Sequence, residues 1–340
     1  MSLPDRPVLV TGATGFTGGH LVRSLMADGH RVRVIVRSAA RAAALPAGVD
    51  VREADITDPR GVAQAVQGVG TIYHLAAAYR EASHREEGYW EVNVGATRTL
   101  LEAASAAGIE RFVHCSTVGV HGHVAHPPAD ESAPYSPGDP YQRTKCEAEI
   151  LALTYARDRG VPVTVARPTA IYGPGDTRLL KMFRMIARGI FVALGRRDIY
   201  YHMVFVDDLV AGLRLLGTHP AAVGEVFILG DSRYYLLTTI TGMIADLLGV
   251  RRPRLRLPAR PFQIAGSICE AICVPLGIEP PIYRRRVDFF TKSRAFSIAK
   301  AQRLVGYEPQ VPLETGLRRT LEWYIRGGHL TVLGAVASIA

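Results

Sequence analysis

The sequence predicts an α/β protein: a doubly wound parallel sheet, joined to a smaller, mostly helical C-terminal part that would hold substrate. Three observations predict it. Short apolar runs alternate with segments of helical periodicity through the first half of the chain. The first run, Val8-Leu9-Val10, enters Thr11-Gly12-Ala13-Thr14-Gly15-Phe16-Thr17-Gly18, and a helical pattern follows directly. From about residue 231 onward the alternation gives way to helical patterns.

The glycines at 12, 15 and 18 suit a sharp turn, a close approach of backbone to a pyrophosphate, and packing of the next helix on the sheet. Residues 20–28 put Leu21, Val22, Leu25 and Met26 on one side, and Gly29 closes the helix. With a strand before and a helix after, the loop reads as a dinucleotide site in which Gly12, Thr14, Gly15, Phe16, Thr17 and Gly18 meet the cofactor. A tight structural turn is the plain alternative.

Residues 31–36 form the second strand. Many NAD-binding folds end it with an acid that holds the ribose hydroxyls, but here Val36 is followed by Arg37, with Arg41 four residues on. An arginine there suits a ribose phosphate, which predicts NADP and leaves NAD open, since an arginine after a strand can also simply be solvated. The third strand, 49–55, brings Asp55 and Ile56 toward the adenine. In the fourth, 71–78, Leu75, Ala76 and Ala77 let a cofactor lie against the backbone. A helix over 89–107 carries Asn93. The fifth strand, 111–117, ends in Ser116 and Thr117, and the sixth, 163–168, ends in Pro168 with Thr169 beyond. Ligands of such sheets bind outside the carboxyl ends of the strands, where Thr11, Arg37, Asp55, Ala76, Thr117 and Thr169 all fall. Residues 1–176, rejoined by 202–230, are expected to hold the dinucleotide. Residues 177–201 and 231–330 are expected to hold substrate, and 331–340 form a tail.

Chemistry concentrates in Pro140-Tyr141-Gln142-Arg143-Thr144-Lys145. On a helix, Tyr141 and Lys145 share one face. A phenol is a poor base at neutral pH, and an ammonium beside it favours the phenolate. Such a tyrosine can exchange a proton with an alcohol or carbonyl oxygen while hydride moves at the carbon. Taken alone, Tyr-x-x-x-Lys is also a common accident of surface helices, and it is the upstream loop that gives it weight.

Across 340 residues, Lys and Arg exceed Asp and Glu by nine, and 48% of residues are apolar. That is a well-cored globular composition. No aromatic-and-basic module accompanies the charge, so phosphate-bearing ligands or an anionic membrane surface are expected as partners rather than nucleic acid. The cysteines at 115, 146, 269 and 273 have no metal-ligand spacing, so no metal is expected. Reduced thiols and the lack of a signal-peptide pattern predict a cytoplasmic protein. Arg251, Arg252, Arg254, Arg256 and Arg260 precede an apolar stretch from Pro261, and Arg284, Arg285 and Arg286 follow it. That stretch is too short and interrupted to span a bilayer. It could lie in a membrane interface as a peripheral contact, or form a buried helix of the substrate part, ended by Pro275.

In order and spacing, these motifs resemble the extended short-chain dehydrogenase/reductase superfamily (the NAD-dependent epimerase/dehydratase family) over essentially the whole chain. The resemblance is carried by the glycine loop, Leu75-Ala76-Ala77, Asn93, Ser116-Thr117, Tyr141 with Lys145, and Arg167-Pro168-Thr169-Ala170-Ile171-Tyr172-Gly173-Pro174-Gly175-Asp176. It implies a Rossmann fold, with Thr117 on the reacting oxygen, Tyr141 as acid/base, and Lys145 on the nicotinamide ribose. It also implies a homodimer built on the helices at 93–107 and 141–157. Sugar-nucleotide dehydratases usually follow the Thr with Asp-Glu, where this chain has Val118-Gly119. Many UDP-sugar epimerases have Asn in place of Thr169. The second half is more similar to the 3β-hydroxysteroid dehydrogenase and sterol-carboxylate dehydrogenase branch, through Ile278-Glu279-Pro280-Pro281-Ile282, Ser293-Arg294-Ala295-Phe296 and Lys300-Ala301-Gln302-Arg303. The expected function is therefore an NAD(P)-dependent oxidoreductase acting on a secondary alcohol or ketone, possible substrates being steroid- or sterol-like. A UDP-sugar epimerase with retained cofactor is the alternative, and a catalytically idle nucleotide sensor is opposed by the intact Thr117, Tyr141 and Lys145.

Overall fold

The computed structural model describes residues 6–79, 86–195, 197–273, 287 and 290–331. The sequence features at Pro275, Ile278 to Ile282 and Arg284 to Arg286, and the tail from 332, lie outside the described residues.

Six strands come in order: β1 (Val8–Thr11), β2 (Val32–Val36), β3 (Asp50–Glu53), β4 (Thr71–His74), β5 (Arg111–Cys115) and β6 (Val163–Pro168). With Val226–Leu229 they form one seven-stranded sheet, in the order Val226–Leu229, β6, β5, β4, β1, β2, β3. Every neighbouring pair is parallel. The direction of winding reverses between β1 and β4, which opens a crevice at their carboxyl ends. All four residues of β1 and all six of β6 are buried, because helices cover both faces of the sheet. Leu21, Val22, Leu213 and Phe227 pack on one face, and Leu100, Leu101, Phe112 and Tyr155 on the other.

Helix ends follow from local chemistry. The helix Pro140–Arg159 starts where the Asp139 carboxylate accepts from the Gln142 amide at 2.8 Å, with Pro140 in the first turn, and stops at left-handed Gly160. The helix Pro59–Val66 is capped in the same way by Asp58; the sequence reading did not place it. The single helix expected over 89–107 is instead three pieces. They are Glu86–Trp90, a π-helical turn Glu91–Gly95 that holds Asn93, and Ala96–Ala107. The fifth strand is shorter than expected: the Ser116 amide still donates to the Ala166 carbonyl, but Thr117 caps a tight turn, Val118–His121. On the two helices expected to form a dimer, Ala104, Ala148, Ala152 and Tyr155 are buried within the chain, while Ile150, which the sequence reading did not single out, faces outward at 41% exposure.

Beyond β6, Ala170–Tyr172 pairs with Met203–Phe205, which leads straight into the helix Val206–Thr218. A separate core, with Tyr172, Phe183, Ile240, Leu317 and Tyr324, gathers the helices Leu180–Ala187, Leu237–Leu247 and Leu313–Arg326. The helix Ala259–Cys273 stands apart from that core: Ile264, Ile268 and Ile272 are 61, 56 and 57% exposed. This overturns the expectation of a buried helix over the apolar stretch. The segment does form a helix, but its isoleucines point outward.

Candidate active site

The glycine loop closes tightly on β4. Gly12 has φ +69°, and a Cβ there would lie 2.7 Å from the Ala76 nitrogen. A Cβ on Gly18 would lie 2.1 Å from the Gly12 oxygen, so neither position accepts a side chain without moving backbone. The helix Phe16–Ala27 begins at Gly15 with no side-chain cap and no acid in its first turn. Its N-terminal amides are uncapped, with Thr14 and Gly15 exposed and Thr17 half-buried, an arrangement that suits an anion such as a pyrophosphate. A cavity of about 400 Å³ opens beside the loop, lined in part by Thr14, Gly15, Phe16, His20 and Arg23. The Thr169 hydroxyl is buried and has no partner among the described residues, although Pro168 and Thr169 sit at the end of β6. A cradle that a Cβ would fill and an orphaned hydroxyl both fit a dinucleotide lying along the strand ends.

Arg37 is exposed just after β2 and makes no hydrogen bond or ion pair with the described residues. Asp55 is turned toward its own chain: its carboxylate accepts from the Thr57 amide and hydroxyl at 2.9 and 2.8 Å. Ile56 packs against the core. Leu75, Ala76 and Ala77 are half-buried in extended chain past β4. The Ala76 amide donates to the Thr11 hydroxyl, whose proton goes to His74 Nδ1 at 2.8 Å. His74 Nε2 faces Thr97, and Thr97 donates to the Asn93 carbonyl. This order of donors makes His74 neutral with its proton on Nε2. Burial, then the charge of Lys145, pull its pKa down to about 3.

The catalytic candidates lie just past the end of β5 and on the helix Pro140–Arg159. Tyr141 and Lys145 lie one turn apart on the helix Pro140–Arg159. The Lys145 ammonium donates to the Cys115 carbonyl at 2.7 Å. Burial pulls its pKa below the usual lysine value, opposed by Cys115 and the Glu149 carboxylate. The Tyr141 ring meets Tyr79 edge-on, with centroids 4.8 Å apart. Asn93 ties the two walls together. Its Oδ1 accepts from the Ala78 amide at 2.8 Å, and its Nδ2 donates to the Thr144 hydroxyl at 2.9 Å. Thr117 Oγ1 accepts from the Gly119 amide at 3.0 Å, which leaves its own proton to donate outward.

Ser116 is placed differently from Thr117. Its hydroxyl donates to Glu149 Oε2 at 2.5 Å, inside a buried network where Glu149 also meets Arg167 and accepts from Tyr135. Arg167 further donates to His121 Nε2 at 2.9 Å and to the Glu131 carbonyl at 3.0 Å. Sequence reasoning missed Glu149, Tyr135, His74, Thr97 and Tyr79. Only Glu149 carried a signal, standing four residues beyond Lys145 on the same helical face.

The model of the NAD dependent epimerase/dehydratase family matches residues 8–230. The 3 beta-hydroxysteroid dehydrogenase/Delta 5-->4-isomerase of Mycobacterium tuberculosis is 31% identical, over 94% of this chain and 90% of that protein. Sterol demethylase protein B of Methylococcus capsulatus is 35% identical, over 75% of this chain and 78% of its own. Among solved structures, the dTDP-glucose 4,6-dehydratase DesIV of Streptomyces venezuelae, with NAD bound, superposes with a TM-score of 0.75. It is 27% identical and covers 95% of this chain and 98% of its own.

Proposed function

The chain belongs to the NAD-dependent epimerase/dehydratase family, and from that premise we propose that it moves hydride between a nicotinamide dinucleotide and a secondary alcohol or ketone on a sterol-like molecule. The observation that carries the reading is Tyr141 one helical turn before a buried Lys145 that is pinned to the end of β5, with Thr117 two residues past that anchor. The relatives named for 3β-hydroxysteroid and sterol chemistry supply the substrate class.

When bound, the nicotinamide supplies the carbon that accepts or returns hydride. In the oxidative direction Tyr141, as phenolate, takes the proton of the substrate hydroxyl as hydride leaves the carbon bearing it. Lys145 favours that phenolate through its charge. Thr117 donates a hydrogen bond to the reacting oxygen and holds it against Tyr141. Asn93 fixes the gap between the β4 wall and the catalytic helix, so that the proton and hydride paths stay aligned. Residues 1–176 with 202–230 hold the dinucleotide in this reading, and 177–201 with 231–330 cover substrate. Of the cofactors, NADP is favoured by the unpaired Arg37. The protein works as a cytoplasmic homodimer, a setting that four free thiols suit, with the dimer formed through the helices Ala96–Ala107 and Pro140–Arg159, the second of which turns Ile150 outward.

Incubating the purified protein with hydroxysteroids or UDP-sugars, and following reduced cofactor at its absorbance band, tests the reading. Cofactor reduction with a 3β-hydroxysteroid supports it. Conversion of a UDP-sugar with no added cofactor and no steroid turnover would replace it with the epimerase.

A further inference from the structure

The helix Ala259–Cys273 is inverted. Its inward face consists of Phe262, Gln263, Gly266, Cys269, Glu270 and Cys273, which are buried or half-buried. Its outward face carries Arg260, Ile264, Ile268 and Ile272, each four residues from the last, so they line up as one ridge about 18 Å long. A helix packed on a globular core puts its largest apolar side chains inward. Here polar Gln263 and Glu270 turn toward the protein while three isoleucines, each more than half exposed, turn away. Such a ridge on a surface marks contact with something apolar.

Charge says what covers it. Arg251, Arg254 and Arg260 are exposed, and none makes an ion pair with the described residues. Arg252 and Arg256 beside them pair with Asp246 and Asp198. Leu255, between the unpaired arginines, is 57% exposed. An apolar ridge with basic residues at one end is the pattern of a helix that lies flat in an interface between water and anionic lipid. No described helix is long and apolar enough to cross a membrane, so the contact is with the surface.

We propose that the ridge Ile264–Ile268–Ile272, with Arg251, Arg254, Leu255 and Arg260 at its N-terminal side, docks the protein on anionic phospholipid. The contact is independent of the hydride chemistry: none of these residues lies at the catalytic site.

Flotation with vesicles of phosphatidylcholine, and of phosphatidylcholine with phosphatidylglycerol, tests it. Wild-type protein is expected to float with the anionic vesicles at least tenfold better than with the neutral ones, and to lose that preference in high salt. The triple change Ile264→Ser, Ile268→Ser, Ile272→Ser should abolish flotation while dinucleotide binding stays intact. The triple change Arg251→Glu, Arg254→Glu, Arg260→Glu should remove the preference for anionic lipid. A single change, Ile268→Trp, guards against misfolding of the triple variants: the added indole fluorescence should be quenched by lipids brominated on the acyl chain. No flotation on either vesicle at low salt, an Ile268→Trp indole that the brominated lipids leave unquenched, or an isoleucine variant that falls from dimer to monomer without any change in lipid binding would each overturn the proposal. The last outcome would assign the ridge to a second copy of the chain.

Discussion

The Lys145 ammonium and the Cys115 main-chain carbonyl, 2.7 Å apart, join the helix Pro140–Arg159 to the end of β5. That bond fixes two things at once. It satisfies a charge that burial would otherwise penalise, and it sets Thr117, two residues on, relative to Tyr141, one turn back. Asn93 makes the matching tie on the other side, from the π-helical turn to Thr144 and Ala78. A π turn inside a helix costs regular hydrogen bonding and is often found where function requires it.

Replacing Tyr141 by Phe keeps the ring against Tyr79 and removes the phenol. Turnover should fall by roughly 10²–10⁴-fold, the usual worth of general acid/base assistance. Fluorescence titration with reduced dinucleotide should give an affinity close to wild type. Near-normal turnover on the true substrate would show that another group carries the proton.

Arg37 stands exposed where β2 ends, with no ion pair among the described residues. Arg37→Ala should weaken NADP binding and leave NAD binding nearly unchanged, as read by titration with each dinucleotide. Equal loss for both, or a wild-type preference for NAD, would remove the phosphate from the reach of this side chain.

The Glu149–Arg167 pair is 0 and 3% exposed in its side chains. Glu149→Gln would leave the Arg167 guanidinium buried without its counter-charge, which costs about 3–5 kcal/mol when a buried pair is broken. Urea unfolding at pH 7 should show that loss. Changing both residues, Glu149→Leu with Arg167→Met, should recover only the part due to the stranded charge, since Ser116, Tyr135 and His121 then lose their partners. A single variant as stable as wild type would mean that Arg167 finds water.

How far the sequence reveals this molecule depends on the range of each interaction. The turn at Gly12, the close packing at Gly18 and the placing of Tyr141 one helical turn before Lys145 are local, and local spacing displays them. The Pro59–Val66 helix escaped because eight residues make too short a periodic signal, although Asp58 and Pro59 marked its start. The partnership of His74 with Thr11 and Thr97 joins residues 63 and 23 positions apart, and only the sheet order creates it. The direction of the isoleucine ridge was hidden for another reason. Periodicity shows that a helix has two faces, and burial alone says which one looks inward.

His114 supplies a prediction about acid. It faces His74 across the β4–β5 register, with ring centroids 5.6 Å apart, and neither of its nitrogens has a partner among the described residues. Burial, then Lys145 and His74, hold its pKa well below the ordinary histidine value. His74 is pulled to about 3, and burial takes His202 to about 4. His74 and His202 are therefore neutral in the folded protein near pH 5, and His114 takes up its proton at a lower pH folded than unfolded, while the unfolded chain protonates all three as pH falls through about 6.5. The unfolded state then binds more protons, so stability is full above that pH and is lost on acidification, by about 1.4 kcal/mol per pH unit for each such histidine. His114→Leu removes one of the three without breaking a hydrogen bond, whereas His74→Leu would strand Thr11 and Thr97. Denaturant unfolding at several values between pH 7 and 4.5 should give a shallower acid slope for His114→Leu than for wild type. Whatever the substitution does to packing appears as a constant offset and leaves the slope comparison untouched. Parallel curves for the two proteins would mean that His114 already takes up its proton in the folded state.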